Sequence, residues 1–158
     1  MFGWLETTVV ANWVALSLWA YPALLSLHIV GLAIVVGIFV TRDLRLAGFV
    51  RGIDPRMFAN LAPLAWFGFA VNLISGLLLF TSQATVFATN LPFLIKISCI
   101  VVGMALARVI HRRLRQQSVS SLQYMSALSD ETSLRPLALL SLTIWIGAIG
   151  AGRLIAYF

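Results

Sequence analysis

The chain has 158 residues, 61% of them hydrophobic and only 10% charged, with a formal net charge of +6. A soluble domain of this length cannot hide so much apolar surface, because a small sphere exposes too much of its area. The bilayer is therefore the solvent this composition implies, and a single all-α membrane domain over residues 1–158 accounts for the length.

In chain order, residues from about 5 to 20 come first. "VVANWVALSLWA" is apolar but too short to cross a bilayer before Pro22. Trp4, Trp13 and Trp19 suit the membrane–water boundary. An interfacial helix is expected, with a fifth crossing or a long kinked first helix as alternatives. Glu6 and the absence of a basic residue here do not resemble a signal peptide.

Four segments reach the roughly 20 apolar residues a spanning helix needs: about 22–41, 62–82, 92–111 and 136–157. Pro22, Pro63, Pro92 and Pro136 stand at their starts. Proline fits the first helical turn, where its missing N–H would be unpaired anyway. A four-helix transmembrane bundle with an N-terminal interfacial helix is the predicted fold. The connection "RDLRLAGFVRGIDPRMFANL" is expected to carry Asp43 paired with Arg42 or Arg45 in a solvated interfacial charge cluster. The segment "QQSVSSLQYMSALSDETS" is expected to be polar, as a short amphipathic helix or a mobile loop.

Arginine placement orients the bundle. Arg42, Arg45, Arg51, Arg56, Arg108, Arg112, Arg113, Arg115 and Arg135 fall on one side of a four-span arrangement. The positive-inside rule makes that side cytoplasmic and both termini outward-facing. The basic balance then reflects topology and lipid headgroups, and it calls for no nucleic-acid partner. Cys99 is the single cysteine, which excludes an internal disulfide and a cysteine metal cluster. No Walker loop, dinucleotide glycine fingerprint or catalytic-triad motif is present.

Two basic residues lie inside the predicted spans, Lys96 and Arg153, and one of only two histidines, His28, lies in a third. Intramembrane ionisable groups are costly and usually face a bundle interior or a wet cavity. Counting rise from the outer helix ends puts His28 at about 9 Å, Lys96 at about 6 Å and Arg153 at about 7.5 Å. Independent snorkelling of Lys96 and Arg153 is one reading. The other is a shared basic pocket fit for haem propionates, a quinone carbonyl or a lipid phosphate. Gly31 near His28, and Gly150 near Arg153, either pack helices tightly or make room for a planar cofactor. His111 lies roughly 20 Å from His28 along the membrane normal, too far to share a metal. It reads as part of the basic border. At most one haem b fits this inventory, with His28 as its axial metal ligand. Asn72 and Ser75 read as interhelical hydrogen-bonding groups or cavity lining.

The segments "YPALLSLHIVGLAIVVG", "TRDLRLAG", "LAWFGFAVNLISGLLLF", "PFLIK" and "IGAIGAGRLIAY" resemble a poorly characterised family of small four-helix bacterial inner-membrane proteins. The resemblance implies the bacterial inner membrane as the location. A weaker similarity reaches the CopD-type copper-resistance proteins and the HemJ-type protoporphyrinogen oxidases, which have a histidine on an early helix and a lysine at the start of a later one. In the HemJ-type enzymes those features go with haem, and His28 and Lys96 match them by type and order. Their later Asn-Glu-x-Pro signature is absent here. Three functions follow as expectations: a haem- or quinone-binding redox protein, a non-enzymatic subunit or anchor of a membrane-protein partner, or a small transporter built as a homo-oligomer.

Overall fold

The computed structural model describes residues 2–50, 52, 57–119 and 124–157. These form α1 (Gly3–Glu6), α2 (Val9–Leu16), α3 (Ala20–Leu46), α4 (Met57–Asn60), α5 (Ala62–Ser82), α6 (Ala84–Thr89), α7 (Leu91–Val119) and α8 (Tyr124–Leu154), followed by a 3-10 turn at Ile155–Tyr157. There is no strand among the described residues. Four helices are long and apolar enough to cross a membrane, with spanning stretches at Ala20–Leu46, Ala62–Ser82, Leu91–Arg115 and Leu134–Leu154. Only 17–33% of each apolar stretch is buried inside the protein. The rest is an outward apolar face, which hydrocarbon rather than water must cover.

Helix ends show how the chain sets these lengths. α3 does not stop near residue 41 but runs to Leu46, where Gly48 at φ +89° caps it. The Phe49 N–H reaches the Leu44 carbonyl and the Gly48 N–H reaches that of Arg45. This is the six-to-one and five-to-two pattern of a Schellman cap, for which glycine is the favoured residue. α7 starts under Asn90, whose Oδ1 accepts the Phe93 N–H at 3.0 Å.

Pro136 does not start a helix. It lies inside α8, twelve residues beyond Tyr124. It marks where the apolar stretch begins, and the helix continues outward through polar sequence. Residues 112–119 and 124–135 are therefore helical and continue α7 and α8. Arg51 and Arg56 lie outside the described residues, as do residues 120–123.

The bundle is two helix pairs, α3 with α5 and α7 with α8, joined mainly where α3 also packs on α8. α5 and α7 meet little directly. Val35 and Phe39 of α3, Ala65 of α5, Ala107 of α7 and Trp145 of α8 form a shared core layer. Phe39 stacks on Trp145 at 5.7 Å between ring centroids. A second layer joins Leu46, Ile110, Leu114, Leu134 and Ala138. α1 and the 3-10 turn at Ile155–Tyr157 lie at the end of the bundle opposite the arginines of α7.

At 8 residues, α2 is about 12 Å long, far short of a ~30 Å hydrocarbon core. It packs chiefly on α5 through buried Ala11 and Val14, while Trp4, Trp13 and Trp19 stay exposed. Glu6 ties α1 to α6: its Oε1 accepts the Thr85 N–H at 2.8 Å and the Thr85 hydroxyl at 2.6 Å. Those two donors hold the Glu6 carboxyl below the usual carboxylate range. A carboxylate with a depressed folded pKa stabilises above its unfolded value and loses that contribution as pH falls through the folded one. Protection of the Thr85 amide in hydrogen exchange, corrected for intrinsic rate, should therefore hold at neutral pH. It should fall only at a pH below the ordinary glutamate range. In Glu6→Gln the pH step should disappear.

Candidate functional site

α3 and α5 cross at backbone contact. A Cβ on Gly31 would sit 2.8 Å from both the Asn72 backbone N and the Gly68 carbonyl oxygen. Gly31 thus serves close helix approach. One turn earlier on α3, that approach brings His28 against Asn72. His28 Nδ1 lies 3.0 Å from the Asn72 backbone carbonyl oxygen, and the Asn72 side-chain amide donates back to the His28 carbonyl at 2.8 Å. A carbonyl oxygen can only accept, so Nδ1 carries the proton and Nε2 carries the lone pair. Ser75 completes the clamp. Its Oγ is 2.6 Å from the Val71 carbonyl, to which it donates, and 3.2 Å from His28 Nδ1. The imidazole lies over Gly76, where a Cβ would come within 2.9 Å of the ring. Asn72 and Ser75, taken from the sequence as general helix glue, are the groups that hold His28 and set its tautomer.

Lys96 approaches from α7. Its stem runs along Gly152 of α8, with Cδ 3.4 Å and Nζ 3.8 Å from the position a Cβ would take. Its ammonium is close enough to His28 for the two to interact electrostatically. No ion pair neutralises Lys96 among the described residues. Arg153 and Gly150 sit differently. Arg153 is exposed, and a Cβ on Gly150 would meet nothing within 4 Å. The structure thus brings His28 and Lys96 together and leaves Arg153 and Gly150 on an open face of α8. Beyond the pair, toward the termini, Phe80, Phe87 and Phe93 stack at 5.4–6.4 Å between centroids. They link α5, α6 and α7 where α5 and α7 have little direct packing.

The other end of the bundle corrects an expectation. Arg42 and Asp43 are not a solvated cluster: they are 3% and 0% exposed. The extra turns of α3 carry them inside the bundle. Asp43 Oδ1 accepts from Arg42 Nε at 2.8 Å and Nη2 at 2.6 Å, and Arg42 Nη1 donates to the Ala107 carbonyl at 3.2 Å. The guanidinium lies 5.0 Å from the Phe39 ring centroid. Among the described residues, Asp43 Oδ2, Ser141 Oγ and Trp145 Nε1 are buried without a hydrogen-bond partner. The Ser141 hydroxyl stands beside the carboxylate but outside hydrogen-bond geometry. Next to Arg42 is a cavity of about 310 Å³ whose lining includes Trp66, Arg108, His111 and Arg112. His111 therefore stands at the opposite end from His28, and it lines a cavity as well as the basic border.

Among the described residues, no three His, Cys, Asp or Glu side chains gather to hold a metal ion. One axial haem ligand needs no such group, and His28 Nε2 has the lone pair that ligation requires.

An all-α bundle with four membrane-length apolar helices and intramembrane His, Lys and Arg side chains is a multi-pass integral membrane protein. Comparison of the chain with protein-family models, curated proteins and solved structures returned no match.

Proposed function

We propose that this membrane protein has a redox role and that the His28–Lys96 pair binds a quinone or one haem b. The observation that carries the reading is the hydrogen bond from His28 Nδ1 to the Asn72 carbonyl, which leaves Nε2 as a fixed acceptor beside an ammonium donor. A quinol hydroxyl can donate to Nε2, and a quinone carbonyl can accept from Lys96 Nζ. Alternatively, iron can take Nε2, with the second-nitrogen hydrogen bond orienting the ring as it does in other histidine metal sites. The weaker resemblance to HemJ-type enzymes would give His28 and Lys96 these parts. Arg153, on the open face nearby, would serve a propionate or carbonyl of the same ligand. By the positive-inside rule the arginine end would face the cytoplasm of a bacterial inner membrane, with His28 in the outer half.

The test is an absorption spectrum of protein purified from haem-replete cells, followed by titration with a short-chain quinone read by tryptophan quenching. A Soret band lost in His28→Ala supports haem. Colourless protein with saturable quenching, weakened about 3–10-fold in Lys96→Gln, supports quinone; that is the scale of one lost hydrogen bond. Colourless protein that binds no quinone and co-purifies with another membrane protein would replace this reading with that of a membrane subunit.

A further inference from the structure

The cavity beside Arg42 has an uneven chemistry. Arg108, His111, Arg112 and Arg115 fall at i, i+3, i+4 and i+7 on α7, so they share one helix face, and all four line the cavity. Like charges at this spacing repel one another on a helix. Among the described residues no carboxylate lines the cavity. Asp43, the one acid buried nearby, already accepts two hydrogen bonds from Arg42. The inner wall is apolar, from Phe39, Trp66 and Met104, and the Arg108 guanidinium sits 6.0 Å from the Trp66 ring. Arg42 closes the inner end, held in place by Asp43 and the Ala107 carbonyl. The apolar run of α7 gives way at Arg108 to RVIHRRLR; a basic cluster at the end of an apolar helix marks the edge of the hydrocarbon, which puts the cavity mouth at the level of one headgroup layer.

We infer that this cavity binds the phosphate of an acidic phospholipid, with Arg108, Arg112 and Arg115 on the phosphate oxygens and the acyl portion against Trp66 and Met104. Guanidinium groups pair with phosphate oxygens in two-pronged, charge-assisted hydrogen bonds. A phosphate here offsets a repulsion that no described side chain offsets. The site is at the opposite end of the bundle from His28 and stands independently of any cofactor there.

Diffuse attraction of basic residues to an acidic leaflet is the competing explanation, and it makes a different prediction. Each arginine near the surface then contributes about equally, whichever helix face it occupies. Arg113 neighbours Arg112 but does not line the cavity. The experiment extracts the protein from nanodiscs of equal phosphatidylglycerol and phosphatidylcholine and counts retained lipid by native mass spectrometry. Wild type should retain phosphatidylglycerol preferentially. Arg108→Gln with Arg112→Gln should lower that retention about tenfold, the scale of one lost charge-assisted bond. Arg113→Gln should leave it unchanged, where equal contributions would cost this single variant about threefold, half of the double variant's loss on a logarithmic scale. Both cavity arginines are exposed, so the double variant should keep the wild-type elution volume and helix content. Equal retention of the two lipids, or a loss of about threefold or more in Arg113→Gln, would overturn the site. Displacement of phosphatidylglycerol by millimolar inorganic phosphate would assign the anion to a water-soluble phosphate and overturn the lipid assignment.

Discussion

Asp43→Ala should destabilise the protein by about 3–5 kcal/mol, the cost of removing one partner from a buried ion pair. Arg42 is 3% exposed and gives Nε and Nη2 to the same Asp43 oxygen. Without that oxygen its charge has one carbonyl acceptor, Ala107, and one aromatic face, Phe39, in a low-dielectric interior. The loss should be read as a lower unfolding midpoint in mild detergent with added denaturant. Asp43→Asn should fall between alanine and wild type, since the amide oxygen still accepts but carries no charge. The informative comparison is Arg42→Met with Asp43→Leu. A buried pair replaced by apolar side chains of similar volume is often neutral or stabilising, so the double variant should be more stable than Asp43→Ala alone. If it is equally unstable, the pair is doing more than neutralising itself. The buried Ser141 hydroxyl, which stands beside the carboxylate, would then be the first place to look.

The burial of that pair was not legible in the sequence because it depends on where α3 ends. Hydropathy falls at Arg42, and a hydropathy argument ends the helix there. Gly48 is the signal that reaches further: a glycine shortly after a helical run marks the residue that takes positive φ in a Schellman cap. Had Gly48 been read as the cap, Asp43 and Arg42 would have stood one turn inside the helix. Pro136 shows the reverse error. Proline reports a missing N–H, and in the first turn of an apolar segment that looks like a helix start. A polar helical extension before it gives no hydropathy signal, so the proline was over-read. The four membrane-length helices, by contrast, were plain, because twenty apolar residues in a row have few other uses.

Of the candidate site, depth was legible and direction was not. Counting rise along each helix groups His28 with Lys96 and Arg153 and separates His28 from His111. Rotation about each helix axis decides which groups meet, and that depends on packing. Gly31 sets the rotation of α3 against α5 by backbone contact, which points His28 at Asn72. Gly152 gives Lys96 its path along α8. Arg153 follows Gly152 by one residue, about 100° further round the helix, and comes out on the exposed face. The basic face of α7 could have been found earlier. Arg108, His111, Arg112 and Arg115 have helical spacing in the sequence itself. Reading them only as topological charge hid the fact that they share a side.

The α3–α5 crossing carries the second large expected effect, and glycine-to-alanine substitutions should grade it. At Gly31 the added Cβ meets backbone: Asn72 N and Gly68 O at 2.8 Å, and Asn72 Cα at 3.1 Å. Backbone within a helix cannot rotate out of the way, so α5 must shift. Overpacking of a well-packed interior typically costs about 1–3 kcal/mol, and Gly31→Ala belongs at or above the top of that range. At Gly68 the added Cβ meets Ile34 Cγ2 at 2.7 Å, Ile34 Cβ at 2.9 Å and the Gly31 carbonyl oxygen at 3.2 Å. Ile34 Cβ is fixed by its backbone and a β-branched side chain is stiff in a helix, so Gly68→Ala should also be clearly destabilised. At Gly150 it meets nothing within 4 Å, and the higher helix propensity of alanine should make that variant neutral or slightly more stable. Unfolding midpoints in one detergent should therefore place Gly150→Ala first, with Gly68→Ala and Gly31→Ala both well below it. The same shift of α5 that relieves Gly31→Ala moves the Asn72 carbonyl away from His28 Nδ1. Binding of the quinone or haem proposed for His28 should weaken in Gly31→Ala while Gly150→Ala binds as wild type does. If Gly31→Ala instead matches Gly150→Ala in both measurements, the two helices do not cross at backbone contact, and the clamp on His28 loses its basis.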